Sequence, residues 1–188
     1  MPYQVYRQVE VWVEMDRLQP LLRERRWAAL EATAHGECAA LAGWACAQRI
    51  ADVDTQDYEA ELHRLALELA AECPVDAQAV AFEFDPENRW ESTFFLCSEP
   101  HPQHSLEGEW ACDWMHHISG PEFEPFAQLY EETGGFGHSP SAVGAALYLI
   151  IRTMVSVGRA LEEVDFGKRA LCIAYHDGRD VLRVHELQ

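Results

Sequence analysis

Two cysteine–histidine pairs share one spacing: Cys97-x3-His101 and Cys112-x3-His116, with His104 and His117 close by. Zinc takes four nitrogen, sulfur or oxygen ligands in a tetrahedron, and closely spaced pairs suit it because each pair spans a single turn. The segment LCSEPHPQHSLEGEWACDWMHH, residues 96–117, thus holds the residue types of a zinc site. Its candidate ligands are Cys97, His101, His104, Cys112 and His116. A packing explanation competes. Zinc signatures more often pair Cys with Cys and His with His. On a strand over 109–115, Cys112 would lie between Trp110 and Trp114 on one face, where a thiol packs as a small hydrophobe.

Carboxylates form the second group. Glu83, Asp85, Glu87 and Glu91 flank one turn, with Asp113 on a later strand. Clustered carboxylates can hold a hard cation or divide acid and base roles between them. No calcium-loop pattern with its glycine accompanies these, and an acidic hairpin tip is usually solvated. Other chemistry lacks its parts. There is no GxSxG, GGFGHSPS at 134–141 lacks the lysine of a phosphate loop, and His176 precedes a tight turn. Cys38, Cys46 and Cys172 sit among Ala, Leu and Ile and read as core. The chain is therefore expected to be non-catalytic and without a cofactor, zinc being the alternative.

Charge gives the strongest global signal. The 188 residues carry a formal net charge of −18. Residues 52–132 hold twenty Asp and Glu against Arg64 and Arg89, so this segment carries the whole imbalance. Such a field repels nucleic acid and anionic membranes and attracts a basic protein. The expected contacts are Glu83, Asp85, Glu87, Trp90, Glu91, Glu107, Glu109 and Asp113, where carboxylates steer and an indole supplies desolvated contact. A solubilising role for the same charge is the plainer alternative.

The elements that would position these groups follow from periodicity. With 48% hydrophobic and 24% charged residues, the chain is expected to fold as one domain over 1–188, helical over 1–73 and sheet-containing over 78–188. Pro20 is placed in the first turn of a helix that Gly36 ends, and 38–50 forms a second helix. A third follows Asp54 or Thr55 with Tyr58, Leu62, Leu65 and Leu69 on one face, and 3–14 leans to helix. AVAFEFD (79–85) alternates and WESTFFLC (90–97) is aromatic and β-branched, which gives a hairpin across 79–97. A strand over 109–115, a helix within 121–135, a long helix over 140–163 and a hairpin over 170–186 complete an α+β fold. Its sheet is expected to be antiparallel, with about five strands packed against the helices of the N-terminal third and the long helix.

The opening residues lack a basic stretch followed by an apolar one, and the longest apolar run, Ala142–Ile151, is half a membrane span. A cytoplasmic location is expected. Small, acidic, α+β and without an assignable active site, the chain is similar in type to bacterial immunity proteins that neutralise basic toxins. The likeness is one of profile and not of motif, and it implies an acidic surface that occupies a basic cleft.

Overall fold

The structure is a computed structural model that describes residues 2–98, 114–167, 169–176 and 182–185; within these, side chains are described except for 2–10, 12 and 182–185. Six helices and a mixed sheet make an α+β fold. The helices are α1 (Pro2–Arg23), α2 (Trp27–Ala42), α3 (Trp44–Ala51), α4 (Gln56–Glu72), α5 (Glu124–Glu132) and α6 (Pro140–Leu161). The strands are β1 (Ala79–Asp85), β2 (Glu91–Cys97), β3 (Trp114–Ser119) and β4 (Ala170–Tyr175), in the order β3-β2-β1-β4. A short strand β5 (Leu182–His185) lies antiparallel beside β4.

The core is built around α6. Ser139 starts it, its Oγ accepting the Ala142 N–H at 3.1 Å, and Pro140 fits the first turn, where no N–H is needed. Every residue from Ala142 to Leu161 except Arg159 is buried. Over an 18-residue window α6 is apolar enough to pass for a membrane span, but 94% of that window is buried inside the fold. Two glycines let α2 lie directly on it. A Cβ at Gly144 would stand 2.7 Å from the Leu41 Cβ, and one at Gly158 would stand 2.5 Å from the Trp27 ring. Residues 144 and 158 of α6 thus face 41 and 27 of α2, so the helices run antiparallel and in close contact for about 21 Å.

Polar groups of α6 tie the surrounding helices together. The buried Arg152 donates to the carbonyls of Ile50 in the last turn of α3 and of Val53 just beyond it, and pairs with Glu31 of α2 at 3.2 Å. Arg159 shares Glu31 at 2.9 Å. Ser156 and Thr55 both donate to Glu59 of α4, at 2.8 and 2.9 Å.

The sheet corrects one expectation. β1 and β2 form the antiparallel hairpin, Asp85 opposite Glu91 and Ala79 opposite Cys97, but β4 joins β1 in parallel, Ala79 opposite Ala170. The cause is α6, which carries the chain back to the end of the sheet where β1 begins. The third strand, expected over 109–115, is described over Trp114–Ser119, where Ile118 pairs with Phe94 and packs against the core. Residues 109–113 lie outside the described residues. In the helical third, Pro20 lies inside α1, Gly36 lies inside α2, and the break comes at Gly43, whose φ of 89° favours glycine. The helix within 121–135 contracts to α5.

Candidate functional site

Strand alternation sorts the sheet into two faces. Val80, Phe82 and Phe84 of β1, Phe94 and Leu96 of β2, and Leu171, Ile173 and Tyr175 of β4 belong to the main core. The outer face begins with a small buried cluster, Ala79, Ala81, Cys97, Ala170 and Cys172, with Phe95 against it. Toward the hairpin tip it becomes acidic. Glu83 stands opposite Thr93, and Asp85 stands opposite Glu91. Glu87 is exposed in the connecting loop, its N–H held by Asp85 Oδ1 at 2.9 Å. The fold thus gathers Glu83, Asp85, Glu87 and Glu91 on one rim.

What holds that rim is Trp90. Glu91 N–H reaches the Asn88 carbonyl at 2.9 Å across Arg89 and Trp90, whose φ angles of 52° and 57° are both left-handed. Such turns ordinarily use Asn or Gly, and a side chain in this region costs roughly 1–2 kcal/mol. Burying an indole contributes about 4–6 kcal/mol at 25 cal/mol per Å², so the side chain prevails over the backbone. Trp90 is fully buried against Phe84, Phe126 and Tyr130, and its Nε1–H donates to Thr153 Oγ1 of α6 at 2.8 Å. It is therefore an anchor for the loop and not an exposed contact, contrary to the expectation from sequence.

Few cations offset these carboxylates. Arg89 turns away, to Glu122 at 2.9 Å and Glu124 at 3.4 Å. Among the described residues, Asp85, Glu87 and Glu91 form no ion pair. Glu83, partly buried, meets His176 at the end of β4, Nδ1 to Oε1 at 2.7 Å. The parallel register creates this pair, so no local spacing in the sequence could announce it. A carboxylate on Nδ1 fixes the orientation of the ring.

The proposed zinc ligands are mostly outside the described residues: His101, His104 and Cys112 lie there, as do the partner candidates Glu107, Glu109 and Asp113. Cys97 is buried on the outer face, whereas His116 stands opposite Leu96, whose side chain belongs to the core face. Alternation sets these two on opposite sides of the sheet. Among the described residues no group of three or more potential ligands is close enough to hold a metal ion. Of the three thiols expected in the core, Cys38 and Cys172 are buried and Cys46 is partly buried; burial, with Cys46 beside it, pushes Cys38 up to about 12, and burial also raises the partly buried Cys73 against the influence of Arg169. Thiols held protonated are poor nucleophiles.

At the other end of β2 from the acidic rim, where Trp114 stands opposite Cys97, lies an aromatic corner. Trp114 is 46% exposed and meets His117 edge-on at 4.7 Å; both rings approach Phe95 at 6.2 Å. No protein-family model matches the chain, and no match was found among curated proteins or among solved structures.

Proposed function

We propose that this chain is a non-catalytic binding protein that offers the acidic outer face of the β1–β2 hairpin to a basic protein partner. The observation that carries the reading is the direct cross-strand opposition of Asp85 and Glu91, with Glu83 on the same face. Like charges placed opposite one another cost a sheet up to about 1 kcal/mol. This arrangement lowers the stability of the isolated chain and creates a potential that a cationic surface relieves. The loop beneath is fixed by Trp90, so the carboxylates are presented with little ordering left to do on binding.

The charge also sets the kinetics. A field of one sign accelerates encounter with a basic protein and does so less at high salt. Immunity-type neutralisation of a basic toxin is one activity of this kind; the hairpin carboxylates require only a cationic protein surface. The test is capture from the source lysate on immobilised wild type and on a Glu83→Lys, Asp85→Lys, Glu91→Lys variant. A basic protein retained by the wild type, released by salt and not retained by the variant supports the reading. A partner retained equally by both removes it.

A further inference from the structure

We propose that Cys38 and Cys46 form a dithiol that a small-molecule disulfide, of the class of glutathione disulfide, closes into an intramolecular disulfide across the α2–α3 corner. In one continuous helix, residues eight positions apart would be separated by about 12 Å along the axis. Gly43 breaks that helix, and its φ of 89° turns the chain so that α3 lies against α2. Two contacts independent of the thiols fix this corner. Close to the turn, the His35 ring of α2 meets the Trp44 ring of α3 edge-on at 4.9 Å. Further from it, Arg152 joins Glu31 of α2 to the Ile50 carbonyl of α3. Between these two contacts the Cys38 and Cys46 side chains hydrogen-bond to one another. Burial of a thiol does not by itself produce such a pair: the partly buried Cys73 has Arg169 as its neighbour.

Exposure sets the order of events. Cys46 is the more accessible thiol, whereas Cys38 is fully buried and held protonated by that burial. The Cys46 thiolate attacks one sulfur of the small disulfide, whose S–S bond breaks as one small thiol leaves. The Cys38 sulfur then attacks Cys46 in the mixed disulfide, forming the Cys38–Cys46 bond and expelling the second small thiol. Each departing thiolate takes the proton that the attacking cysteine lost. Two protein thiols are oxidised and one small disulfide is reduced to two thiols. Closure draws the sulfurs from hydrogen-bonding contact to about 2.05 Å. Gly43, which alone separates the two helices, takes up the movement. The bond fastens at the turn the corner that Arg152 holds at its far end.

The test equilibrates the full chain in glutathione buffers of rising glutathione disulfide content, quenches with acid, alkylates the remaining thiols and reads the tryptic peptide 27–49 by mass spectrometry. That peptide contains both cysteines and no internal Lys or Arg. Closure lowers its mass by about 2 Da and removes both alkylation sites. The same titration is run in concentrated urea, where the corner is lost. The expected result is an equilibrium constant for closure about tenfold or more larger in the native chain than in urea, with Cys46→Ser leaving Cys38 unmodified. An equal or smaller constant in the native chain overturns the proposal, because the fold then does not favour the bond. A glutathione mixed disulfide that persists on Cys46 overturns it too, since Cys38 then fails to reach that sulfur. So does a disulfide that joins either cysteine to another thiol of the chain or to a second copy.

Discussion

The seam along α6 and the rim of the hairpin use carboxylates to opposite ends. In the seam each carboxylate is shared by two donors: Glu31 by Arg152 and Arg159, Glu59 by Ser156 and Thr55. Removing one member there leaves a buried charge without its partner, which is expensive. On the rim, Asp85 faces Glu91, and the nearest arginine on the loop is drawn off to Glu122 and Glu124. Removing one member there relieves repulsion. The contrast separates charge that fixes the fold from charge kept at the expense of the fold, and the second kind is where recognition is to be sought.

The seam breaks most severely. Arg152→Ala removes the guanidinium that joins α6 to Glu31 and to the carbonyls of Ile50 and Val53, and should cost about 3–5 kcal/mol in urea unfolding. Loss below 1 kcal/mol would mean that the seam is ornamental. Trp90→Phe keeps most of the ring packing and deletes the bond to Thr153, so about 1–2 kcal/mol is expected. Because Trp90 is the anchor, its loss should also increase amide exchange at Glu87 and Asn88.

Alkali probes the interior in a different way. The Cys38 thiol is raised to about 12 by burial, so between pH 9 and 12 the unfolded chain loses this proton while the folded chain keeps it. Rising pH therefore favours unfolding: stability from this group is fully present below pH 9 and is lost through 12. Tyr148, raised by burial to about 12, adds to the loss above pH 10. Thermal melts should be insensitive to these groups below pH 9 and decline beyond it, less steeply from pH 9 to 10 in Cys38→Ala. An identical decline in that variant would exclude the thiol as the cause. The smallest effect belongs to the rim, where Glu91→Lys should stabilise the chain by about 0.5 kcal/mol at low salt and by less at high salt. A loss of stability there would show that the opposition of Asp85 and Glu91 costs nothing.

Much of the fold could be read from local pattern. The alternation of Val80, Phe82 and Phe84 against Phe94 and Leu96 specified the hairpin, and Ser139-Pro140 marked the start of α6. What failed required distant contacts. Parallel pairing of β4 with β1 depends on where α6 delivers the chain, and the run of β3 on to Ser119 follows the seat of Ile118 against the core. Pro20 and Gly36 misled because burial of Leu18, Leu22, Leu30 and Ala34 outweighs the preferences of single residues. Of the candidate site, the four hairpin carboxylates were legible because they are local. The Glu83–His176 pair was not, since it exists only in the parallel register, and Trp90 was misread because burial on α6 cannot be seen from its acidic neighbours.

The most direct measurement is the affinity of the captured basic protein for the wild type and for the Glu83→Lys, Asp85→Lys, Glu91→Lys variant, by calorimetry from 50 to 300 mM salt. The account predicts that the wild type weakens steeply as salt rises and that the variant binds at least tenfold more weakly at 50 mM, with its fold unchanged by circular dichroism. Equal affinity and equal salt dependence in the two proteins would contradict it, and would leave the charge of the hairpin face a matter of solubility.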